Sequence, residues 1–252
     1  MLDPDFISTG FASTIQDTSK FTRFQVVGER SSGTNYVKRL LGRNTALRPT
    51  EDLGWKHGFA HALAIPADLV VIGVVRRADD WARSMHSKPW HCTPKLQSLA
   101  FSQFIEAEWD TIIDRPRYFA GAKEAGLLGQ PLMHDRHPLT GEKFANLFEL
   151  RASKLTGLLS YFSRDCSFIL LRLEDVIADP EAMLGKILGC LEGATQRSDF
   201  RPVIKRLGSK FKPSVEQRFA TPDGMSNADM RVLLKSVNTD QEDALGYAYS
   251  RM

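Results

Sequence analysis

Cysteines are scarce in this chain, and long apolar runs are missing. The three cysteines, Cys92, Cys166 and Cys190, have no CxxC spacing and cannot all pair with one another. No disulfide framework is therefore indicated, and the pattern is typical of a reducing compartment. No basic stretch followed by an apolar one opens the sequence, and the longest apolar runs are too short to cross a bilayer. These absences predict a cytoplasmic protein with no membrane span.

A strong charge of one sign is also missing. The 33 basic and 30 acidic side chains leave a net charge of +3, so we expect no nucleic-acid partner, although this balance allows a local basic cleft for a small anion. Internal repeats and low-complexity tracts are absent. With 252 residues, 42% hydrophobic and 25% charged, the chain has the composition of a soluble globular protein. The simplest prediction is a single α/β domain over residues 1–252.

What is present is a strand, a glycine loop and a helix in direct succession over residues 24–41. The apolar run FQVV predicts a buried strand, and GERSSGTN then leads into a helical pattern. Backbone N–H groups of such a loop, together with the positive end of the helix dipole, favour a phosphate. Gly28 and Gly33 match the GxxxxG of a P-loop, but Thr34 stands where GxxxxGK[ST] has its lysine. The absence of that lysine argues against ordinary ATP or GTP phosphoryl transfer.

A second buried strand is predicted at residues 69–75, LVVIGVV, and basic residues follow its end. Ligands collect at the carboxyl ends of strands in α/β sheets. Arg76 and Arg77 offer permanently charged guanidinium groups for a phosphate, and Ser84, placed near a helix start, offers a hydroxyl. The alternative is a solvated arginine pair capped by the two aspartates that follow.

Lys56 and His57 lie between these two strands, in the segment LGWKHGF. A neutral imidazole is available at physiological pH because the unperturbed histidine pKa is about 6.5, so His57 suits a general base. Lys56 suits a cation that offsets charge developing in a transition state. If the segment is extended, these neighbours point in different directions. A carboxylate, Glu51 or Glu29, is the alternative base.

These segments resemble the sulfotransferase family that uses 3′-phosphoadenosine 5′-phosphosulfate (PAPS). The family's phosphosulfate loop has the form GxxxSGT, and its second strand ends in an arginine with a serine eight positions later; a histidine lies between the two. A later block, a strand followed by a Glu-Asp pair and a DPE-type helix start, is matched by Glu174, Asp175, Asp179, Pro180 and Glu181. We expect this block to be structural, because proline after an aspartate cap is an ordinary helix start. The resemblance spans roughly residues 24–191, with the blocks in the family's order.

The resemblance implies a P-loop-like, three-layer α/β fold with a central parallel sheet flanked by helices. It implies PAPS as the sulfuryl donor, 3′-phosphoadenosine 5′-phosphate (PAP) as the product, and no metal. The implied catalytic residues are His57 and Lys56. The implied donor-binding residues are those of the phosphosulfate loop, Arg30, Ser31, Ser32, Gly33, Thr34 and Asn35, and those of the 3′-phosphate site, Arg76 and Ser84, with Arg77 as a further candidate.

The sequence departs from the family at two points. Arg77-Ala78 replaces the usual Asn-Pro after the arginine, so Arg77 is expected to share the role of Arg76. The C-terminal Arg-Lys-Gly loop of the cytosolic small-molecule enzymes is absent, and Lys210, Lys212 or Arg218 are the candidates to replace it. The resemblance is therefore to a bacterial-type member rather than to a close relative of those enzymes.

The remaining segments are predicted from pattern alone. Residues 1–22 indicate an extended or partly disordered lead-in, and helical spacing recurs at residues 35–41, 81–87 and 96–113. Residues 114–140, rich in proline and glycine, predict an irregular insertion near the acceptor site. Residues 192–252 form either a solvated segment or a lid over the nucleotide. His134 and His137 lack a third ligand, so no metal site is expected there.

Two other functions remain open from the sequence. One is a P-loop kinase acting on a small molecule, and the other is a nonenzymatic nucleotide-binding protein. For the sulfotransferase, a carbohydrate, a lipid or a small molecule would each serve as acceptor, because fold does not fix substrate. The sequence predicts no particular oligomeric state.

Overall fold

A five-stranded mixed sheet forms the centre of the fold in the computed structural model, which describes residues 2–16, 20–197, 199–204 and 210–249. In chain order the strands are β1 (Phe11–Thr14), β2 (Arg23–Val27), β3 (Arg48–Pro49), β4 (Leu69–Val75) and β5 (Ser167–Arg172). In the sheet they lie in the order β1-β5-β4-β2-β3. Neighbouring strands run parallel except β1, which is antiparallel to β5. The predicted α/β fold with a central sheet flanked by helices is confirmed, and the sheet is mixed and mostly parallel.

The antiparallel edge comes from the segment expected to be an extended or partly disordered lead-in. A short helix, α1 (Asp5–Thr9), ends at Gly10, whose φ of 60° reverses the chain direction. Strand β1 follows and pairs Phe11 with Leu171 of β5. Four residues are too few for a hydrophobic period to be recognised, and the pairing partner lies far along the chain. This strand therefore depends on tertiary contact.

Ten α-helices are found within the described residues. After α1 they are α2 (Thr34–Asn44), α3 (Ala78–Ser87), α4 (Pro94–Gln97), α5 (Phe101–Glu106), α6 (Leu147–Leu159), α7 (Leu173–Ala178), α8 (Pro180–Gly189), α9 (Asn227–Ser236) and α10 (Thr239–Ala244). Short 3-10 helices occupy Pro116–Tyr118, Met133–Asp135 and Ser160–Ser163. In the described part of the chain, no helix combines the length and the apolar character needed to span a bilayer.

The predicted helix over residues 96–113 is wrong. Only α4 and α5 are helical there, and the chain then becomes irregular. The Trp109 backbone N–H donates to the Phe144 carbonyl at 2.8 Å, and Thr111 forms a bridge with Cys92. Bonds to distant backbone groups thus replace the helical ladder that the apolar spacing indicated. By contrast, Asp179 caps α8 as predicted, accepting a hydrogen bond from the Ala182 N–H at 2.9 Å.

Both faces of the sheet are covered, which explains the unbroken apolar run of β4. Val70, Ile72 and Val74 face a cluster that includes buried residues of α2, α7 and α8. Leu69 and Val71 face a second cluster, which includes side chains of α1 and α6. Strands buried on both faces have continuous rather than alternating hydrophobicity. Helices on both sides of the sheet make the three layers that the resemblance implied.

The described chain divides into two compact units. The first comprises residues 2–77, 154–204 and 239–249, and it contains the whole sheet. The second comprises residues 78–153 and 210–238. The glycine loop, the Lys56-His57 segment and the arginine pair therefore belong to the first unit, whereas Ser84 belongs to the second.

Candidate functional site

The glycine loop joins the carboxyl end of β2 to the start of α2. Gly28, Ser31 and Gly33 have φ values of 150°, 65° and 97°, all in the region that favours glycine. Ser32 closes the turn, because its N–H and its hydroxyl both donate to the Glu29 carbonyl, at 3.3 and 2.8 Å. The result is a tight loop at the edge of the sheet where ligands of α/β proteins bind.

The two glycines of this loop pack too closely to accept any side chain. A Cβ on Gly28 would lie 2.5 Å from the Val74 carbonyl oxygen, and one on Gly33 would overlap Leu173 of α7. Gly33 is also the N-cap of α2, and no side-chain hydrogen bond caps the helix there. The first N–H groups of a helix have no partner within the helix. The start of α2 is therefore suited to an anion.

The Lys56-His57 segment is joined to the loop at Gly28. The Gly28 N–H donates to the Lys56 carbonyl at 3.0 Å, and the Gly28 carbonyl accepts a hydrogen bond from Nδ1 of His57 at 2.7 Å. A carbonyl oxygen can only accept, so Nδ1 must carry the hydrogen. This fixes the neutral tautomer, in which Nε2 keeps its lone pair and can accept a proton.

Burial and neighbouring cations keep this imidazole neutral. Burial lowers the pKa of His57 well below its usual value, and the positive charges of Lys56, Arg30 and Lys154 lower it further, against a smaller opposing effect of the Gly28 carbonyl. The ring also packs edge-on against Trp55, with centroids 5.3 Å apart. Because the folded-state pKa is lowered, the ring becomes protonated only at a more acidic pH than a free histidine.

Lys56 brings a cation to the first turn of α2. Its Nζ donates to the Asn35 side-chain oxygen at 2.6 Å. Burial lowers the pKa of Lys56. The segment forms a turn, in which the Gly58 N–H bonds the Trp55 carbonyl at 2.8 Å. The expectation that Lys56 and His57 point apart applied to an extended segment; in this turn both side chains contact the glycine loop or the helix that follows it.

Two arginines approach the loop from different elements. Arg30 lies within the loop, is 6% exposed and has its guanidinium carbon 5.8 Å from the Trp55 ring centroid. Arg76 directly follows β4, and its Nη1 donates to the Ser31 carbonyl at 3.2 Å. The loop is thus flanked by permanent positive charge, as an anion site requires.

Arg77 is directed elsewhere, so the arginine pair divides. Its backbone N–H donates to the Glu174 carboxylate at 2.9 Å, which agrees with a structural role for Glu174. Its guanidinium donates to the Ala248 carbonyl at 3.3 Å and lies 4.7 Å from the Tyr249 ring centroid. Tyr247 donates to the same Glu174 carboxylate at 3.0 Å. These contacts favour Arg76 over Arg77 as the ligand of an anion at the loop.

Ser84 lies in the second unit, within α3. The sequence had suggested that Ser84 lies near a helix start, but this helix begins at Ala78, so Ser84 is well inside it. Among the candidates for the missing C-terminal clamp, Arg218 donates to the backbone carbonyls of His86, Ser87 and Gln97. The Arg218 side chain therefore stabilises the local backbone. Lys210 and Lys212 are exposed.

One residue of this site was not among the predicted site residues. Lys154 in α6 is only 7% exposed, and its Nζ donates to the His57 carbonyl at 2.7 Å. The sequence did contain a signal, since Lys154 falls four residues after Leu150 and four before Leu158, on the apolar stripe of the helix. A lysine that is buried at such a position needs a partner for its charged ammonium.

A cleft adjoins the loop on the side of α6. Glu29 within it is 6% exposed, whereas Glu51, the other carboxylate considered as a base, pairs with Lys38 at 2.8 Å on the surface. Within the described ranges, no group of three metal-ligating side chains lies together. The cleft is lined by Gln25, Val27, Gly28, Glu29, Leu53, Trp55, Lys56, Gly58, Phe59, Ala60, Lys154, Gly157, Leu158 and Tyr161.

Comparison with known proteins adds no relative to this picture. No protein-family model, curated protein or solved structure matches the chain. The sulfotransferase resemblance therefore rests on the sequence motifs alone.

Proposed function

We propose that this protein is a PAPS-dependent sulfotransferase. The observation that supports this most is the hydrogen bond from His57 Nδ1 to the Gly28 carbonyl, which leaves a neutral Nε2 beside an anion-binding loop. Transfer of a sulfuryl group to a hydroxyl or amine needs a base of this kind. The cytoplasmic location expected from the cysteine pattern is part of the proposal.

The loop fits the phosphosulfate end of the donor. Arg30, Arg76 and the uncapped start of α2 would bind its oxygens, with Ser31, Ser32, Gly33, Thr34 and Asn35 forming the backbone around them. The resemblance assigned Arg76 and Ser84 to the 3′-phosphate, with Arg77 sharing the role. Because Arg76 contacts the loop at Ser31, we propose it for the phosphosulfate end instead, and Ser84 and Arg77 stay predictions as ligands of the 3′-phosphate.

The chain's residues would then divide the chemistry between them. His57 Nε2 would take the proton of the acceptor as its oxygen or nitrogen attacks sulfur, while the bond between sulfur and the bridging phosphate oxygen breaks. Lys56 and the α2 dipole would offset the negative charge that develops on that oxygen. The products are the sulfated acceptor and PAP. We expect a carbohydrate, lipid or small-molecule acceptor.

Calorimetric titration with PAP, with ATP and 5′-AMP in parallel, tests the donor site. We expect PAP to bind more tightly than ATP or 5′-AMP. Arg76→Ala should weaken PAP binding about 10- to 100-fold, the value of a charge-assisted hydrogen bond worth about 1.5–3 kcal/mol. Arg43→Ala, which removes the same charge from the last turn of α2, is the matched control.

The competing functions give different results in the same titrations. ATP binding as tight as PAP binding would favour the P-loop kinase. Absence of binding by every nucleotide would end the donor proposal. Nucleotide binding without transfer by the wild-type protein to any class of acceptor would favour a nonenzymatic nucleotide-binding protein.

His57→Asn tests the base. Asparagine keeps an N–H donor for the Gly28 carbonyl but has no basic nitrogen, so PAP affinity should persist while sulfuryl transfer falls about 10²- to 10⁴-fold. Transfer of radiolabelled sulfate to a panel of carbohydrates, phenols and lipids measures this. Full transfer by the variant would reject His57 as the base and return attention to Glu29.

A further inference from the structure

Lys154 is a buried cation with a defined partner in the Lys56-His57 segment. It lies in the middle of α6, is 7% exposed, and donates from Nζ to the His57 carbonyl at 2.7 Å. The same ammonium lies 4.2 Å from the Phe59 ring centroid, within cation–π range. The Lys154 side chain thus contacts both the backbone of His57 and the ring of Phe59.

The His57 residue is consequently held on both of its sides. Its ring is bound through Nδ1 to the Gly28 carbonyl, and its own carbonyl is bound by Lys154. The first contact selects the tautomer. The second fixes the peptide that carries the ring, and a buried ammonium makes this hydrogen bond a strong one. Loss of the ammonium would leave that carbonyl unsatisfied in a partly buried turn.

We propose that Lys154 is a positioning residue for His57, one that holds the imidazole in the Nδ1–H tautomer so that Nε2 is the proton acceptor. This inference rests on the proposed function for its catalytic meaning. The structural part of it concerns only contacts within the first unit and does not depend on the donor or the acceptor.

The charge of Lys154 also helps to keep the His57 ring unprotonated, so that Nε2 keeps its lone pair, although it makes that nitrogen less basic. Burial is the largest influence on the pKa of His57, and Lys56, Arg30 and Lys154 all lower that pKa. Removing one of these cations raises the pKa toward its ordinary value, while Lys56 and Arg30 continue to lower it. A variant without the Lys154 ammonium therefore has a more basic and less firmly oriented ring.

Lys154→Met tests this, because methionine keeps an unbranched apolar stem and removes the ammonium. In the full chain, ¹H–¹⁵N correlation spectra of the histidine rings report both tautomer and titration. The wild type should display the Nδ1–H tautomer of His57 at neutral pH and titrate below the ordinary histidine range. The variant should display a mixture of tautomers and titrate at higher pH. Lys154→Arg, which keeps a cationic donor, should restore the wild-type pattern.

Lys186→Met is the matched control, since Lys186 is exposed in the last turn of α8 and should leave the His57 signals unchanged. A Lys154→Met spectrum identical to that of the wild type would overturn the proposal. A mixture of His57 tautomers in the wild type would also overturn it, and that measurement does not depend on a variant that folds. Failure of PAP to bind would instead count against the proposed function, because the ring spectra are recorded without nucleotide.

Discussion

Replacement of Gly33 by alanine is the sharpest test of the loop geometry. Gly33 has a φ of 97°, and an added Cβ would lie 2.8 Å from Leu173 Cδ2 and closer still to Cδ1. A left-handed backbone costs a residue with a Cβ about 1–2 kcal/mol. Overpacking against a side chain that is itself 6% exposed costs about 1–3 kcal/mol more. The variant should therefore lose about 2–5 kcal/mol of unfolding free energy.

Gly42, in the same helix, gives a matched control of opposite sign. It lies inside α2, has no positive φ, and its Cβ would meet nothing within 4 Å. Gly42→Ala should therefore stabilise the protein by about 0.5–1 kcal/mol, because alanine loses less backbone entropy on folding. Urea unfolding followed by far-UV circular dichroism measures both variants.

The refuting result is a Gly33→Ala midpoint at or above that of the wild type. It would mean that the loop does not have the left-handed turn against Leu173 on which the proposed anion site depends. Calorimetry with PAP adds a second comparison. Gly33→Ala should lose PAP affinity, whereas Gly42→Ala should keep it.

Three further predictions concern stability. Hydrogen bonds from Arg23 and Thr22 lower the pKa of Asp68 to about 2. The stability that this carboxylate contributes is therefore fully present above its unfolded pKa of about 3.9 and is lost as pH falls through about 2. Urea midpoints from pH 5 to pH 2 should fall more steeply in the wild type than in Asp68→Asn, and parallel curves would contradict this. Asp179→Ala should cost about 0.5–2 kcal/mol through loss of the α8 cap, measured by thermal unfolding, and an unchanged melting temperature would count against the cap. Arg218→Ala should destabilise the protein by about 1.5–3 kcal/mol while PAP affinity stays the same, because its guanidinium binds backbone carbonyls; selective loss of PAP affinity would instead make it the missing clamp.

The segments predicted best are those whose patterns are local. Strand β4 matches its predicted range of residues 69–75, because burial on both faces gives a continuous apolar run. The loop at Gly28 and the start of α2 follow from glycine positions, and the α8 start follows from an aspartate before a proline. Each of these signals lies within a few residues of the element it specifies.

The features predicted poorly depend on partners far along the chain. Strand β1 exists because β5 lies beside it, and the expected helix at residues 96–113 is interrupted by backbone bonds to Cys92 and Phe144. Apolar spacing alone does not distinguish a helix from an irregular segment buried by other elements. The contact of Lys154 with His57 was not predicted for the same reason, since the two residues are 97 positions apart.

Local patterns in the chain predict a strand, a glycine loop and a helix without a P-loop lysine, and they point to Lys56, His57 and Arg76 as candidates. The contacts among these residues are visible only in the folded protein: which nitrogen of His57 carries the hydrogen, which of two adjacent arginines contacts the loop, and that Lys154 binds the Lys56-His57 segment. The physical reason is that composition and spacing specify local conformation. Hydrogen bonds between loops at the edge of a sheet are specified by the alignment of strands that lie far apart in the chain.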